Sequence, residues 1–183
     1  MDGLRGAIVL AGLLAITSVT KAQDFRERFV GKSPCAAGLH SEQPDFSLRL
    51  DKTQKLNLLY RGLTKAKIVM IIQLSDDPGH CGVIRDLIQI NHVATDFEFR
   101  CFDPEAPTNV IIGTAIRKGS IKPVTAIEAW RIDLKERKFI EISHKVTCSA
   151  DGWDGEDDGS DLVDEAKKYA LHRKPGQFEP AAN

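Results

Sequence analysis

A series of short apolar segments, separated by short polar turns, constrains the fold of this chain more than any other feature. Residues 68–72 form a continuous apolar run, which predicts a central strand covered on both faces. Parallel neighbours would need crossover connections of a dozen or more residues, and the gaps here are shorter. The sequence therefore predicts an α+β fold built on a mainly antiparallel sheet of about five to seven strands, open or barrel-like.

Two helices are predicted, a short N-terminal one before the sheet and a C-terminal one after it. Asp51 stands three residues before Gln54, an arrangement that can cap a helix, and apolar residues follow at helical spacing over 52–61. Ser160 can cap a second helix over about 161–173, because acids lie near its start and bases near its end.

The last hairpin has the clearest alternation of apolar and charged residues. Segments 125–134 and 138–143 are joined by a three-residue turn, and the resulting register places Ile132 opposite Ile140. This alternation predicts a sheet with one face in the core and one face in water. The segment 145–149 is expected to add an edge strand.

The first 22 residues have the pattern of a secretory signal peptide. An apolar run at 7–19 follows Arg5, and Ala22 is a small residue that suits cleavage before Gln23. The run is shorter than the roughly 20 apolar residues that a transmembrane helix needs. We therefore expect a secreted or periplasmic protein without a stable membrane anchor after cleavage. An uncleaved anchor and a buried helix are the alternatives.

The remainder of the chain is expected to form one domain. Of 183 residues, 42% are hydrophobic and 28% are charged, which is ordinary for a globular protein and excludes general disorder. After the signal peptide at 1–22, the segment 23–45 shows little periodicity and is expected to be loosely structured. Residues 46–174 form the single α+β domain, and 175–183 a flexible tail.

All four cysteines lie after the signal peptide, and an even number in an exported chain favours two disulfides. The segments 81–90 and 95–102 are predicted to form a hairpin that places Cys81 opposite Cys101. The predicted bridges are therefore Cys81–Cys101 and Cys35–Cys148.

A zinc site is the alternative use of the cysteines. The chain lacks Cys-x-x-Cys and His-x-x-x-His spacings. The pairs His80 with Cys81 and His144 with Cys148 are poor substitutes, so disulfides are favoured.

The strongest local pattern is an acidic, glycine-containing segment that resembles a calcium loop in its spacing. Oxygen ligands fall at suitable loop positions, glycine takes position 6, and the predicted ligands are Asp154, Glu156, Asp158, Ser160 and Glu165. Two features depart from that pattern, because position 3 is Glu156 and position 8 is the acidic Asp161. The alternative is an acidic connector that leads into the last helix.

The best candidate for acid–base chemistry is His80, because the nearby Asp76 and Asp77 could orient its imidazole. The alternative is ordinary turn chemistry, since Asp, Pro and Gly favour turns. The spaced signatures of a nucleophile elbow, a phosphate loop and a zinc protease are missing. We therefore assign no catalytic residue, and a non-enzymatic protein is favoured.

Charge and sequence pattern do not favour nucleic acid as a partner. The formal net charge is −1, and the lysines and arginines are scattered along the strands without a nucleic-acid recognition motif. The leading hypothesis is an exported, disulfide-capable, non-catalytic binding or inhibitory domain whose partner is an unidentified protein or small ligand. The alternatives are a calcium-stabilised extracellular module and a small secreted hydrolase. No cofactor is expected, although calcium is compatible with the sequence.

Overall fold

The computed structural model describes residues 25–39, 46–77, 81–91, 94–118, 122–149 and 161–172. The signal peptide predicted at 1–22 and the tail predicted at 175–183 lie outside these residues. The described elements are a short helix α1 at 25–29, the strands β1 (Phe46–Asp51), β2 (Leu56–Leu63), β3 (Ala66–Gln73), β4 (Val83–Ile90), β5 (Asp96–Phe102), β6 (Ile111–Ala115), β7 (Val124–Thr125), β8 (Glu128–Asp133), β9 (Lys138–Glu141) and β10 (Thr147–Cys148), and the helix α2 (Leu162–His172).

The strands form two antiparallel sheets. The four-stranded sheet has the order β1-β2-β3-β4, and the six-stranded sheet has the order β7-β10-β5-β6-β8-β9. The predicted α+β class is confirmed, and the central strand predicted at 68–72 is β3, between β2 and β4. Within the described residues, neither sheet closes into a barrel, because each has two different edge strands.

The main hydrophobic core lies between the two sheets. The four-stranded sheet contributes alternating residues such as Leu56 and Leu58, and the six-stranded sheet contributes Ile112 and Trp130. Leu162 at the start of α2 packs against the same core. This burial on one face of each sheet follows from alternation along the strands.

The segment 25–39 covers the outer face of the four-stranded sheet. Phe29 and Leu39 are buried in a second apolar cluster with residues of β3 and β4. The Gly31 N–H donates to the Ile84 carbonyl at 2.8 Å, and the Ile84 N–H donates to the Lys32 carbonyl at 2.9 Å. The segment is therefore attached to β4 by both apolar packing and backbone hydrogen bonds.

All four cysteines form disulfides, but the predicted pairing is wrong. The bridges are Cys35–Cys81 and Cys101–Cys148. Cys101 and Cys148 face each other in the register of β5 and β10, whereas Cys81 precedes β4 in the other sheet. The predicted hairpin of 81–90 with 95–102 is not formed, because β4 pairs with β3 and β5 pairs with β6 and β10.

The helix predicted at 52–61 is wrong. Residues 52–55 form a turn, and β2 begins at Leu56. Asp51 accepts hydrogen bonds from the Thr53 N–H at 2.8 Å and from the Gln54 N–H at 3.1 Å, and these bonds close the turn between β1 and β2. The apolar residues of this segment also fit a period of two, and sheet pairing on both sides selects the strand. The short helix before the first sheet is α1, at 25–29, and not the predicted one at 52–61.

The last hairpin is formed with a register one residue away from the predicted one. Ile132 faces Phe139 rather than Ile140, so Phe139 is buried and Ile140 is exposed. Asp133 accepts hydrogen bonds from the N–H groups of Lys135 and Glu136. Arg137 has a φ of 55°. The turn therefore contains four residues instead of three, and the extra residue shifts the pairing. The predicted edge strand at 145–149 is β10, which lies inside its sheet between β7 and β5.

Candidate functional site

Arg117 holds together the end of the six-stranded sheet where β6 stops. Its guanidinium pairs with the Glu98 carboxylate through two hydrogen bonds, of which the Nη2–Oε2 distance is 2.8 Å. It also donates to the Lys122 carbonyl at 3.1 Å and to the Ser149 carbonyl. Both charged side chains of the pair are largely buried, and the Arg117 guanidinium connects the end of β6 to the segments that contain Glu98, Lys122 and Ser149.

Two isoleucines are exposed close to the pair of Arg117 with Glu98. Ile116 is 50% exposed and Ile127 is 51% exposed, the largest values among the large hydrophobic residues of the described part. The Ile127 N–H donates to the Thr114 carbonyl at 2.7 Å, and Thr114 faces Glu128 in the register of β6 and β8. Ile116 and Ile127 therefore lie at the same end of two neighbouring strands, and we call this end the isoleucine surface.

A small pocket lies between β5, β6 and α2. Apolar side chains form most of its lining, including Phe99, Val110 and Leu162, and its volume is about 40 Å³. One wall carries the ion pair of Arg100 with Glu165, whose Nε–Oε2 distance is 3.1 Å. Such a volume holds a few water molecules, far less than the several hundred Å³ of a typical small-molecule site.

His144 forms a pair with a buried carboxylate that sequence analysis did not identify. The His144 Nε2 lies 2.9 Å from the Asp103 Oδ1, and the Asp103 carboxylate also accepts the Glu105 N–H at 2.9 Å. The hydrogen bond to Asp103 raises the pKa of His144, and the nearby Glu105 carboxylate acts in the same direction. No local spacing indicates this pair, because 41 residues separate the two partners.

The residues predicted for a hydrolase site are only partly described. His80 lies outside the described residues. Asp76 pairs with Lys55, and the Asp77 N–H donates to the Ser75 hydroxyl at 3.1 Å. Both acids are exposed in the loop after β3, so the hydrolase hypothesis stays a prediction.

The predicted calcium ligands lie mostly outside the described residues. This applies to Asp154, Glu156, Asp158 and Ser160, whereas Glu165 is described and pairs with Arg100. Binding of calcium through Glu165 would have to compete with that pair. The calcium hypothesis stays a prediction, and a comparison of melting temperatures with calcium and with chelator tests it.

Asp161 has a structural role at the start of α2. It caps the helix by accepting the Asp164 N–H at 2.8 Å, and it also accepts the Lys52 N–H at 2.8 Å. The aspartate at position 8 of the calcium-like spacing therefore ties α2 to the turn after β1. The predicted cap, Ser160, lies outside the described residues.

Two further observations concern metals and membranes. Within the described ranges, no group of three or more His, Cys, Asp or Glu side chains is arranged to hold a metal ion. Neither helix in these ranges combines the length and the apolar character that crossing a membrane requires.

Comparison of the chain with known protein families, with curated proteins and with solved structures gives no match.

Proposed function

We propose that the chain is an exported, non-catalytic binding or inhibitory domain that contacts a protein partner through the isoleucine surface. The observation that carries the proposal is the exposure of Ile116 and Ile127 at one end of neighbouring strands. Arg117 follows Ile116 directly, and its side chain is held by Glu98. An apolar surface on a fixed backbone favours binding because little conformational freedom is lost on association.

Export is supported by two separate features. Residues 1–22 have the pattern of a signal peptide, and the four cysteines are paired in two disulfides. Disulfides persist in oxidising compartments and are rare in the reducing cytosol. A secreted or periplasmic location follows as part of the proposal.

Partner capture with a surface variant tests the function. The oxidised protein from residue 23 onward is immobilised and exposed to the secreted or periplasmic fraction of its own source, together with the variant Ile127→Asp. Leu74→Asp is the matched control, because Leu74 is an exposed apolar residue, 42% exposed, in the loop after β3. We expect the protein and the control to recover the same partner and Ile127→Asp to lose it.

Two results contradict the proposal. Recovery of the same partner by Ile127→Asp would show that another surface binds, and failure of every form to recover a partner would remove the binding function. Circular dichroism and melting curves establish that the variants are folded before the comparison is made.

A further inference from the structure

Two arginines from different sheets converge on the side chain of Gln73. The Arg85 Nε donates to the Gln73 Oε1 at 3.0 Å, and the Arg137 Nη1 donates to the same oxygen at 2.7 Å. The Gln73 Nε2 donates to the Gln54 carbonyl at 3.3 Å, which fixes the orientation of the amide. The two donor nitrogens are therefore at most 5.7 Å apart, the sum of the two distances to Oε1.

Both arginines lie at positions with unusual backbone geometry. In the pairing of β3 with β4, Ile72 faces Ile84 and Ile71 faces Asp86, so Arg85 is the extra residue of a β-bulge. Bulges redirect a side chain and are frequent beside functional sites. Arg137 has a φ of 55°, a conformation that non-glycine residues rarely adopt.

Gly82 lies against the backbone of Gln73, at the same end of β3 and β4. Gly82 has a φ of 76°, and a Cβ atom there would lie 2.4 Å from the Gln73 carbonyl oxygen. The close approach of the backbone at Gly82 therefore fixes the end of β3 that carries Gln73.

The positive charges of this cluster are not neutralised by a described carboxylate. Neither Arg85 nor Arg137 forms an ion pair within the described ranges. Asp86 follows Arg85 in the chain but pairs with Arg26, and Asp76 in the loop after β3 pairs with Lys55. In addition, the Nε of Arg137 is buried and has no hydrogen-bond partner in the described part of the chain.

We propose that Arg85 and Arg137 form a binding site for a phosphate or sulfate group at the seam between the two sheets. Two guanidinium groups held close together repel each other, and an oxyanion that accepts from their N–H groups not bonded to Gln73 offsets that repulsion. Guanidinium groups bind phosphate and sulfate oxygens through charge-assisted hydrogen bonds, and a group with three or more oxygens can accept from both arginines. The bulge at Arg85 and the left-handed turn residue Arg137 hold the two donors in place before the ligand arrives.

The test is a titration of the folded, oxidised protein with inorganic phosphate at constant ionic strength, with chloride as the balancing anion. Binding is measured by the phosphorus NMR linewidth and by the melting temperature. We expect a saturable effect, with a rise of about 3 °C at ten times the dissociation constant. Inorganic sulfate should compete with phosphate, and acetate should compete at least tenfold more weakly.

Charge-matched variants locate the site. Arg85→Gln and Arg137→Gln should each weaken phosphate binding by about tenfold or more, because each removes a charge-assisted hydrogen bond. Arg49→Gln is the control, since it removes the same charge from β1, the opposite edge of the four-stranded sheet. Arg49→Gln should leave phosphate binding unchanged. If a variant fails to fold, the titration of the unmodified protein still tests whether phosphate binds.

Three results overturn the proposal. The first is the lack of saturable phosphate binding to the unmodified protein. The second is an equal response of Arg85→Gln and Arg49→Gln, which would indicate a general salt effect. The third is acetate binding as strong as phosphate binding, which would contradict the assigned ligand class. The outcome is independent of the isoleucine surface, because the two tests use different residues and different probes.

Discussion

The carboxylate of Asp86, in the last strand of the four-stranded sheet, accepts a hydrogen bond of 2.8 Å from the backbone N–H of Phe139, in the edge strand of the six-stranded sheet. The same carboxylate accepts the Leu87 N–H at 2.8 Å and pairs with Arg26 of α1. Asp86 is only 1% exposed. A single buried acid therefore connects the N-terminal segment with both sheets.

The first prediction concerns this connection. Asp86→Ala should lower the free energy of unfolding by about 3 kcal/mol, because it leaves buried donors without acceptors. Urea denaturation measures the loss. Asp76→Ala is the control and should change stability little, since Asp76 and its partner Lys55 are both largely exposed. Equal effects of the two variants would contradict the role given to Asp86.

The second prediction concerns the space beside the buried disulfide. A Cβ atom at Gly113 would lie 2.9 Å from the Glu128 carbonyl oxygen and 3.2 Å from the Cys101 sulfur. Gly113→Ala should therefore destabilise the protein by about 1–3 kcal/mol through overpacking. Gly38→Ala is the comparison, because a Cβ there meets no atom within 4 Å and adds only the strain of a φ of 64°. A larger loss at Gly38 would contradict the close packing at Gly113.

The third prediction concerns pH. The pKa of His144 is raised above its ordinary value of 6.5 by the hydrogen bond to Asp103. The protonated pair therefore stabilises the fold fully below the unfolded-state pKa, and this contribution is lost as pH rises through the folded-state pKa. Asp103→Asn should lower the pKa of His144 in an NMR titration. An unchanged titration curve would show that Asp103 is not the cause.

The fourth prediction distinguishes the two disulfides. Cys35 and Cys81 are exposed, whereas Cys101 and Cys148 are buried. Limited reduction of the folded protein should open Cys35–Cys81 first, because a reducing thiol has to reach a sulfur atom. Alkylation followed by mass mapping measures the order and also tests the pairing. Earlier labelling of Cys101 and Cys148 would contradict the expected order of reduction.

Local patterns were sufficient for some elements of the fold. The apolar run in β3 predicts a covered central strand, and the charge gradient after Ser160 predicts α2, which spans Leu162–His172. Each of these signals is contained in one short stretch of chain. The elements that depend on distant residues were predicted less well.

The errors have particular physical causes. The segment after Asp51 fits both helical and strand spacing, and only its pairing with β1 and β3 selects the strand. The register of β8 with β9 depends on the turn at Arg137, which has a positive φ. A sequence pattern does not reveal this conformation. The disulfide pairing depends on which sheet each cysteine joins, and that follows from contacts between segments far apart in the chain.

The candidate sites were also beyond local patterns. The pairs Arg117 with Glu98 and His144 with Asp103 join residues from separate strands and loops. The exposure of Ile116 and Ile127 could not be read from composition, because isoleucine is more often buried. Only the assembled six-stranded sheet brings the ends of β6 and β8 together.

Hydrogen–deuterium exchange of the partner-bound protein shows whether the partner binds at the isoleucine surface. Peptides that cover residues 114–117 and 126–128 are compared in the free protein and in the captured complex, with the loop at 74–77 as the internal reference. We expect slower exchange on binding in the first two peptides and no change in the loop. Protection confined to other parts of the chain would contradict binding through the isoleucine surface.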